Sequence, residues 1–280
     1  MRLEVLVTTM HQKDLQIYDQ MNIQTDAIIA NQADCFFYQE VKNGDNTVRL
    51  LTTPTRGVSR NRNIALAVST ADYVLFADDD LIFRDGYEEM IFREFRCHPE
   101  AEAIKFNLHN LSEKRKISMG RIEKFEKATR RNMSASGVCG VVVKREALVR
   151  KSLYFHEFFG PGTDNYCGED TIFLQSMLNR KVKLYRSPLD IAGIDQTEST
   201  WFEGYNEKYF TVTGRVLGTI YPFLSYLTAV RSAFRFTKRE KCKMKFWQIL
   251  KCYYRGIMEA SGKLYEKYKR FGTGRQSKRL

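Results

Sequence analysis

Asp78-Asp79-Asp80 is where residue type and spacing first suggest chemistry. The triplet follows Tyr73-Val74-Leu75-Phe76-Ala77, a run that reads as a strand buried on both faces. Three adjacent anions at the end of such a strand repel one another and call for a compensating charge, most simply a divalent metal. One aspartate would suit a solvated turn or a helix cap. Three, with Leu81-Ile82 directly after them, do not.

Elements of alternating type must position that triplet. Leu3–Thr8, Asp26–Ala30 and Val48–Thr52 read as strands, and Asp14–Met21 as a short helix. A helix is expected to open at Ser59-Arg60-Asn61-Arg62-Asn63 after the break at Pro54–Gly57. Further on, the pattern predicts a helix over Gly86–Phe95, strands over Ala103–Leu108 and Gly137–Val143, and a helix over Lys144–Lys151. A loop over Phe155–Gly168, a helix over Thr171–Asn179 and a strand over Val182–Tyr185 complete this part, which closes near Gln196. Ser112–Arg131 is polar and reads as an excursion over the site. The alternation indicates an α/β, doubly wound parallel sheet. Two basic helices are expected beyond it, over Thr213–Phe236 and Met244–Tyr268.

In such sheets ligands bind at the carboxyl ends of the strands. Thr8, Thr9, Asn31 and Asp34 fall there and could hydrogen-bond a nucleotide base. The helix start supplies backbone N–H groups, Arg60 and Arg62 for a diphosphate. Asp80 could hold a metal bridging the two phosphates.

With these residues assembled, the chain resembles the GT-A glycosyltransferases of the bacterial family-2 type over roughly residues 1–200. Gly57-Val58-Ser59-Arg60-Asn61-Arg62-Asn63 is similar to that family's Gly-x-Ser-x-x-Arg-Asn segment. Phe76-Ala77-Asp78-Asp79-Asp80 is similar to its Asp-x-Asp metal motif, and Cys167-Gly168-Glu169-Asp170 to its Glu-Asp motif. The resemblance implies a GT-A fold with a mostly parallel sheet, and inverting, metal-dependent transfer from a nucleoside-diphosphate sugar, a UDP-sugar first. It implies Mn²⁺ or Mg²⁺ on Asp80 and Asp78, and nucleotide contacts from Asp79, Arg62 and Asn63. Asp170 would be the base that deprotonates the acceptor, with Glu169 touching acceptor or loop. Both could instead only cap the helix from Thr171. The Gln-x-x-Arg-Trp motif of processive members is absent, which argues for transfer of one sugar. No third metal ligand stands out beyond His109 and His156. The expected acceptor is a glycan or lipid-linked glycan of capsule, exopolysaccharide or lipopolysaccharide synthesis.

Charge sets a second expectation. The formal net charge is +12, and from Arg231 onward the sequence holds 16 Lys+Arg against three Glu. The rest is near neutral, so the expected organisation is a catalytic domain over 1–212, a basic amphipathic extension over 213–270 and a disordered tail over 271–280. Aromatic and basic residues interleave in the extension, as they do where a helix lies on an anionic membrane. They would also suit packing on the core. Trp201 and Phe202 could stack on a sugar or pack the tail. Six cysteines without metal-type spacing fit reduced thiols, and the opening Leu3–Val7 is too short and strand-like for a signal peptide. Together these place the protein in the cytoplasm, at the inner face of the membrane. Competing classes are a sugar nucleotidyltransferase and a nucleic-acid- or glycan-binding module. The first lacks its glycine-rich loop, since Thr8-Thr9-Met10-His11-Gln12 follows the first strand, and nucleic acid is not the expected partner.

Overall fold

The computed structural model describes residues 1–111, 121–134, 136–194, 204–260 and 262. The chain divides into two compact units, Met1–Asp164 with Glu169–Ser199, and Asn165–Gly168 with Thr200–Leu280.

The first unit is built on one sheet of ten strands. In chain order its elements are β1 (Leu3–Met10), α1 (Gln16–Gln20), β2 (Asp26–Gln32), β3 (Phe37–Asn43), β4 (Asn46–Thr53) and α2 (Val58–Val68). Next come β5 (Tyr73–Asp78), β6 (Leu81–Phe83), α3 (Tyr87–Cys97), β7 (Ala103–Asn110), β8 (Glu126–Lys127) and β9 (Val141–Lys144). The unit ends with α4 (Arg145–Arg150), α5 (Glu169–Asn179) and β10 (Leu184–Ile194). The strand order is β3-β4-β2-β1-β5-β9-β7-β10-β6, with β8 on β10. The strands β4, β2, β1, β5, β7 and β10 run one way; β3, β9, β6 and β8 run against them.

Period-two alternation splits each central strand between two cores. Val5, Val7, Leu75 and Ala77 bury on one face with Ile17 of α1 and Tyr87, Ile91 and Phe95 of α3. Leu6, Val74 and Phe76 bury on the other with Ala65 of α2, Leu148 of α4 and Phe173 and Met177 of α5. Helices on both faces make three layers and require β5 to be apolar throughout. On the second face Phe76 meets Phe155 and Phe173 edge-on, with centroids 5.3 and 5.5 Å away. Phe155 and Phe173 stack at 4.0 Å, anchoring the loop before α5 beneath the carboxyl end of β5.

Two features differ from the sequence pattern. The sheet is not uniformly parallel: β9 runs antiparallel between β5 and β7, because the chain re-enters the sheet from the far edge. Its strand starts at Val141 rather than Gly137, since Gly140 turns with φ +74° while its amide donates to Phe76 O at 3.0 Å. In addition, β3 was unexpected. It pairs antiparallel with β4 around a turn at Gly44, and its exposed, mixed residues carry little of the apolar signal of an inner strand.

The second unit holds α6 (Glu207–Ile220), α7 (Ser225–Thr237) and α8 (Phe246–Ala260). Sequence periodicity suggested one helix from Thr213 to Phe236, but the chain breaks at Tyr221–Leu224, where Pro222 lacks the N–H a continuous helix needs. Asn206 caps α6, accepting from the Tyr209 amide at 2.8 Å. The three helices share a core of Phe210, Ala229, Ala233, Ile249, Tyr253 and Ile257. The apolar stripe of α8 is therefore spent inside this bundle. No described helix is long and apolar enough to cross a membrane, and all six cysteines are free thiols. Residues 195–203, Trp201 and Phe202 among them, and residues from 263 onward lie outside the described residues.

Close approach of α6 and α8 depends on glycine. A Cβ at Gly256 would stand 2.1 Å from Thr211 O, and one at Gly214 would stand 2.4 Å from Tyr253 O. Either must push the helix backbones apart, at an overpacking cost of about 1–3 kcal/mol or more. Gly256→Ala should therefore lower the calorimetric melting temperature; an unchanged melt would mean that the two helices do not meet as described.

Candidate active site

Parallel β1 and β5 lie in register so that Thr8 faces Asp78. The Thr8 hydroxyl donates to Asp78 Oδ1 at 2.7 Å, and the Thr9 hydroxyl to Asp79 Oδ2 at 2.6 Å. The Asp78 carboxylate also accepts from the Cys139 thiol. Burial alone would raise its pKa, but the Arg62 guanidinium, Thr8 and Cys139 outweigh that and hold it below the usual carboxylate range. Asp79 moves the other way: burial raises it, Thr9 lowers it and the Asp78 charge raises it further.

Arg62 is the centre of this edge. Its side chain is 3% exposed, with Nη2 donating to Asp78 Oδ1 at 2.8 Å and Nη1 to Asp170 Oδ1 at 2.6 Å. Its guanidinium carbon lies 5.2 Å from the Phe155 ring centroid, so the aromatic stack under β5 supports it. Burial disfavours the cation, yet Asp78 and Asp170 more than compensate and raise its pKa well above the ordinary value. The compensating charge that the acidic triplet demanded is thus supplied in part by the protein itself.

The helix start is partly covered. The loop before α5 packs over the first turn of α2 and takes one of its N–H groups. The Val58 amide donates to Pro161 O at 3.1 Å, and the Ser59 hydroxyl to Phe159 O at 2.7 Å. Asn63 exchanges two hydrogen bonds with the Phe155 backbone, at 2.8 and 2.9 Å. Arg60 stands at the surface beside Glu157, 3.4 Å away. Asn31 is buried, donating to Gln12 O and Thr52 Oγ1 at 2.9 Å each and accepting from the Gln12 amide. Asp34 is exposed and pairs with Arg56. Of the expected nucleotide contacts, Arg62, Asn63 and Asn31 therefore brace the sheet edge, and Thr8, Thr9, Asp78 and Asp79 converge at its opening.

The Glu-Asp pair sits in the first turn of α5, where the helix dipole favours carboxylates. The Asp170 carboxylate is fixed at both oxygens, by Arg62 and by the Val138 amide, which donates to Oδ2 at 3.1 Å. Glu169 is buried and 4.0 Å from Arg62. Burial first, then the Asp170 charge, push its pKa up to about 8. The neighbours are thereby separated in role, with an uncharged carboxyl at Glu169 beside the ion-paired Asp170 at neutral pH. Phe155 lines the site as its aromatic loop suggested, whereas Cys139 and Val138 come from an apolar run that gave no sign of them in the sequence.

Hard oxygen donors suit Mg²⁺ or Mn²⁺, and the triplet provides them. Among the described residues, however, no group of three His, Cys, Asp or Glu is arranged around one point. His156 packs against Phe158 and Phe159, and burial lowers its pKa. Any metal here would take few protein ligands and fill its shell with water and phosphate oxygens.

Residues 25–155 match the family model described as Glycosyl transferase family 2. The fold matches that of S. aureus TarS 1-349 in complex with UDP-GlcNAc, with a TM-score of 0.61 at 13% identity over 97% of this chain and 92% of that one. TarS 1-349 in complex with UDP aligns over the same shares with a TM-score of 0.57 at 13% identity. The chain has the GT-A-like fold of TarS, and just under half of it matches the family-2 model. Against S. aureus TarS without those limits the TM-score is 0.55 at 12% identity, and the alignment spans 99% of this chain but 46% of that one. No curated protein matches the sequence significantly.

The raised pKa of Glu169 makes the stability of this protein pH-sensitive in a defined direction. Between about 4.5 and about 8 the unfolded chain ionises Glu169 while the folded chain keeps the proton, so its contribution to stability falls as pH rises. Glu169→Gln copies the neutral form. Its melting temperature should gain on wild type steadily across that window, by up to ~1.4 kcal/mol of stability per pH unit, and level off above it. A difference that does not vary with pH would mean Glu169 is ionised in the fold.

Proposed function

We propose that the enzyme transfers a single sugar from a UDP-sugar to a hydroxyl of a glycan acceptor, with inversion and with the help of Mg²⁺ or Mn²⁺. The observation that carries this reading is the Arg62 bridge, which joins Asp78 of the donor motif to Asp170 of the base motif through one guanidinium. The binding of UDP and UDP-GlcNAc by TarS, which shares the fold, supports the choice of donor.

In this mechanism Asp170 takes the proton from the acceptor hydroxyl as its oxygen attacks the anomeric carbon. The bond to the diphosphate breaks on the opposite face, and its electron pair leaves with the nucleotide. Arg62 and the Val138 amide fix the base in direction, so little reorganisation is needed at the moment of transfer. Asp80, beside Asp78, would hold the metal, which when bound neutralises charge on the departing diphosphate. Non-processive transfer fits the missing Gln-x-x-Arg-Trp motif. Synthesis of capsule, exopolysaccharide or lipopolysaccharide on a lipid-linked glycan is the setting we favour.

A panel of nucleotide sugars, read by thermal shift with and without Mn²⁺ and then by turnover, tests the reading. One UDP-sugar should stabilise the protein. Asp80→Ala should lose both transfer and the Mn²⁺ dependence of UDP binding. Asp170→Asn should still bind UDP while kcat falls about 10²–10⁴-fold, the usual contribution of a positioned base. Unchanged Mn²⁺ dependence in the first variant, or near-normal turnover in the second, defeats the respective assignment.

The helical unit also supports docking on an anionic membrane, through a different helix from the one its sequence suggested. The stripe of α8 is buried, whereas Leu227, Val230 and Phe234, spaced three and four apart, expose one apolar face along α7, with exposed Phe223 in the turn just before it. Phe223 is 96% exposed and Leu227 71%. Arg231, Arg235 and Lys238 lie on the same helix or at its end. Apolar residues flanked by cations suit an interfacial helix, each cation adding ~1 kcal/mol near anionic lipid. Full-length protein should sediment with phosphatidylglycerol vesicles and not with phosphatidylcholine vesicles, and high salt should release it. Leu227→Asp with Phe234→Asp should abolish sedimentation; binding that survives both changes rules this face out.

A further inference from the structure

Beyond the donor edge, a cavity of about 370 Å³ opens beside the second half of β7. Its wall carries Lys105, Arg121, Arg131 and Arg186 and not one carboxylate among the described lining residues. Two acids offset part of this charge from outside the wall: Asp190 holds Arg121 at 2.9 Å, and Glu126 pairs with Arg186. Lys105 is buried and donates only to a neutral acceptor, the Cys139 carbonyl. Arg131 is exposed and has no side-chain partner among the described residues. Two positive charges are therefore left over on the wall, Lys105 in a low-dielectric surround that strengthens its field and Arg131 at the exposed rim.

Buried polar atoms there are also unsatisfied. Arg186 Nε is buried with no hydrogen-bond partner among the described residues, on a side chain only 12% exposed. His109 Nδ1, on the same wall, is buried and equally without one. Native proteins leave few such groups, and a cluster of them beside surplus cations is the pattern of a site that waits for an acceptor-rich anion.

The cavity adjoins the reaction. Lys105 lies within electrostatic range of both Arg186 and Asp170. Ser136 lines the cavity, and two residues on the Val138 amide holds Asp170. Burial lowers the pKa of Lys105 to about 8, so an anion beside it would also favour its charged form.

We propose that this cavity seats an anionic substituent, a phosphate first, of the acceptor glycan, holding the reacting hydroxyl toward Asp170. This rests on the glycosyltransfer reading of Asp170 given above and names the acceptor class for it. A neutral glycan would leave the surplus cations and the buried Arg186 Nε–H unmatched, which disfavours its binding.

The test titrates the full-length protein by calorimetry with glucose 1-phosphate, inorganic phosphate and methyl glucoside, each with UDP already saturating. UDP binding itself reports separately on the donor site. The first two probes should bind wild type and the neutral glycoside should not. In Arg121→Ala/Arg131→Ala both affinities should fall about tenfold or more, with UDP affinity unchanged within about twofold. Arg131→Ala alone, at an exposed position, should show part of the loss with an unaltered melting temperature. Phosphate probes that fail to bind, are displaced by UDP, or bind the double variant equally well overturn the proposal. So does equal turnover of phosphorylated and dephosphorylated acceptors, which would make the cavity a site for free phosphate. Failure of UDP to bind while the phosphate probes behave as expected would instead count against the donor reading alone.

Discussion

A buried guanidinium between two carboxylates is the constraint on which the first unit depends. Arg62 carries a full charge at a place that water does not reach, and that charge is tolerable only because Asp78 and Asp170 approach it from two sides. Removing any one of the three would leave uncompensated charge behind, at a cost on the order of ~3–5 kcal/mol, toward the lower end because Asp78 and Asp170 are partly exposed. Everything nearby serves that arrangement. Phe76, Phe155 and Phe173 stack beneath the guanidinium, Asn63 ties down the Phe155 backbone, and Thr8 and Cys139 saturate Asp78.

The same arrangement distributes protons. Asp78 is pulled down by its cation, Asp79 is pushed up by burial, and Glu169 is pushed up further still. Adjacent carboxyl groups of like chemistry are thus set to different tasks by what surrounds each one. On the far side of Asp170, positive charge accumulates instead around Lys105 and the arginines of the β7 cavity. The edge where these carboxylates converge is a boundary between two opposite electrostatic regimes, and Asp170 sits on it.

Much of this was legible in the sequence wherever local pattern and final environment agree. The strand before the triplet, the helix after Gly57 and the helix at Glu169 could be read because burial on both faces and 3.6-residue periodicity leave direct marks. What could not be read were side chains whose partners are remote. Nothing near Arg62 says that it turns toward Asp170 rather than toward a phosphate; that depends on a helix 108 residues away. Cys139 is one more apolar residue until β9 brings it to Asp78. Lys105, by contrast, left a mark: a lysine inside Ala103–Leu108, otherwise strand-like and apolar, has to meet an acceptor or an anion once buried. Amphipathic pattern alone could not say which face of the helical unit is free, because α7 and α8 are both amphipathic and only packing decides which of the two is covered.

The antiparallel insertion of β9 has a kinetic side. β5 cannot reach β7 directly; β9 fills the place between them, and its residues follow β7 in the chain by more than thirty positions. The Arg62–Asp170 pair closes a longer loop still. Contacts of such separation must await the closure of large loops, so they form late, after the local β1–β2 and β3–β4 pairings. During synthesis a nascent chain would present the acidic triplet and the α2 arginine long before α5 emerges to give Arg62 its second carboxylate. The half-made edge carries net negative charge, and charge of that kind keeps it hydrated and discourages premature collapse until β9 and α5 arrive.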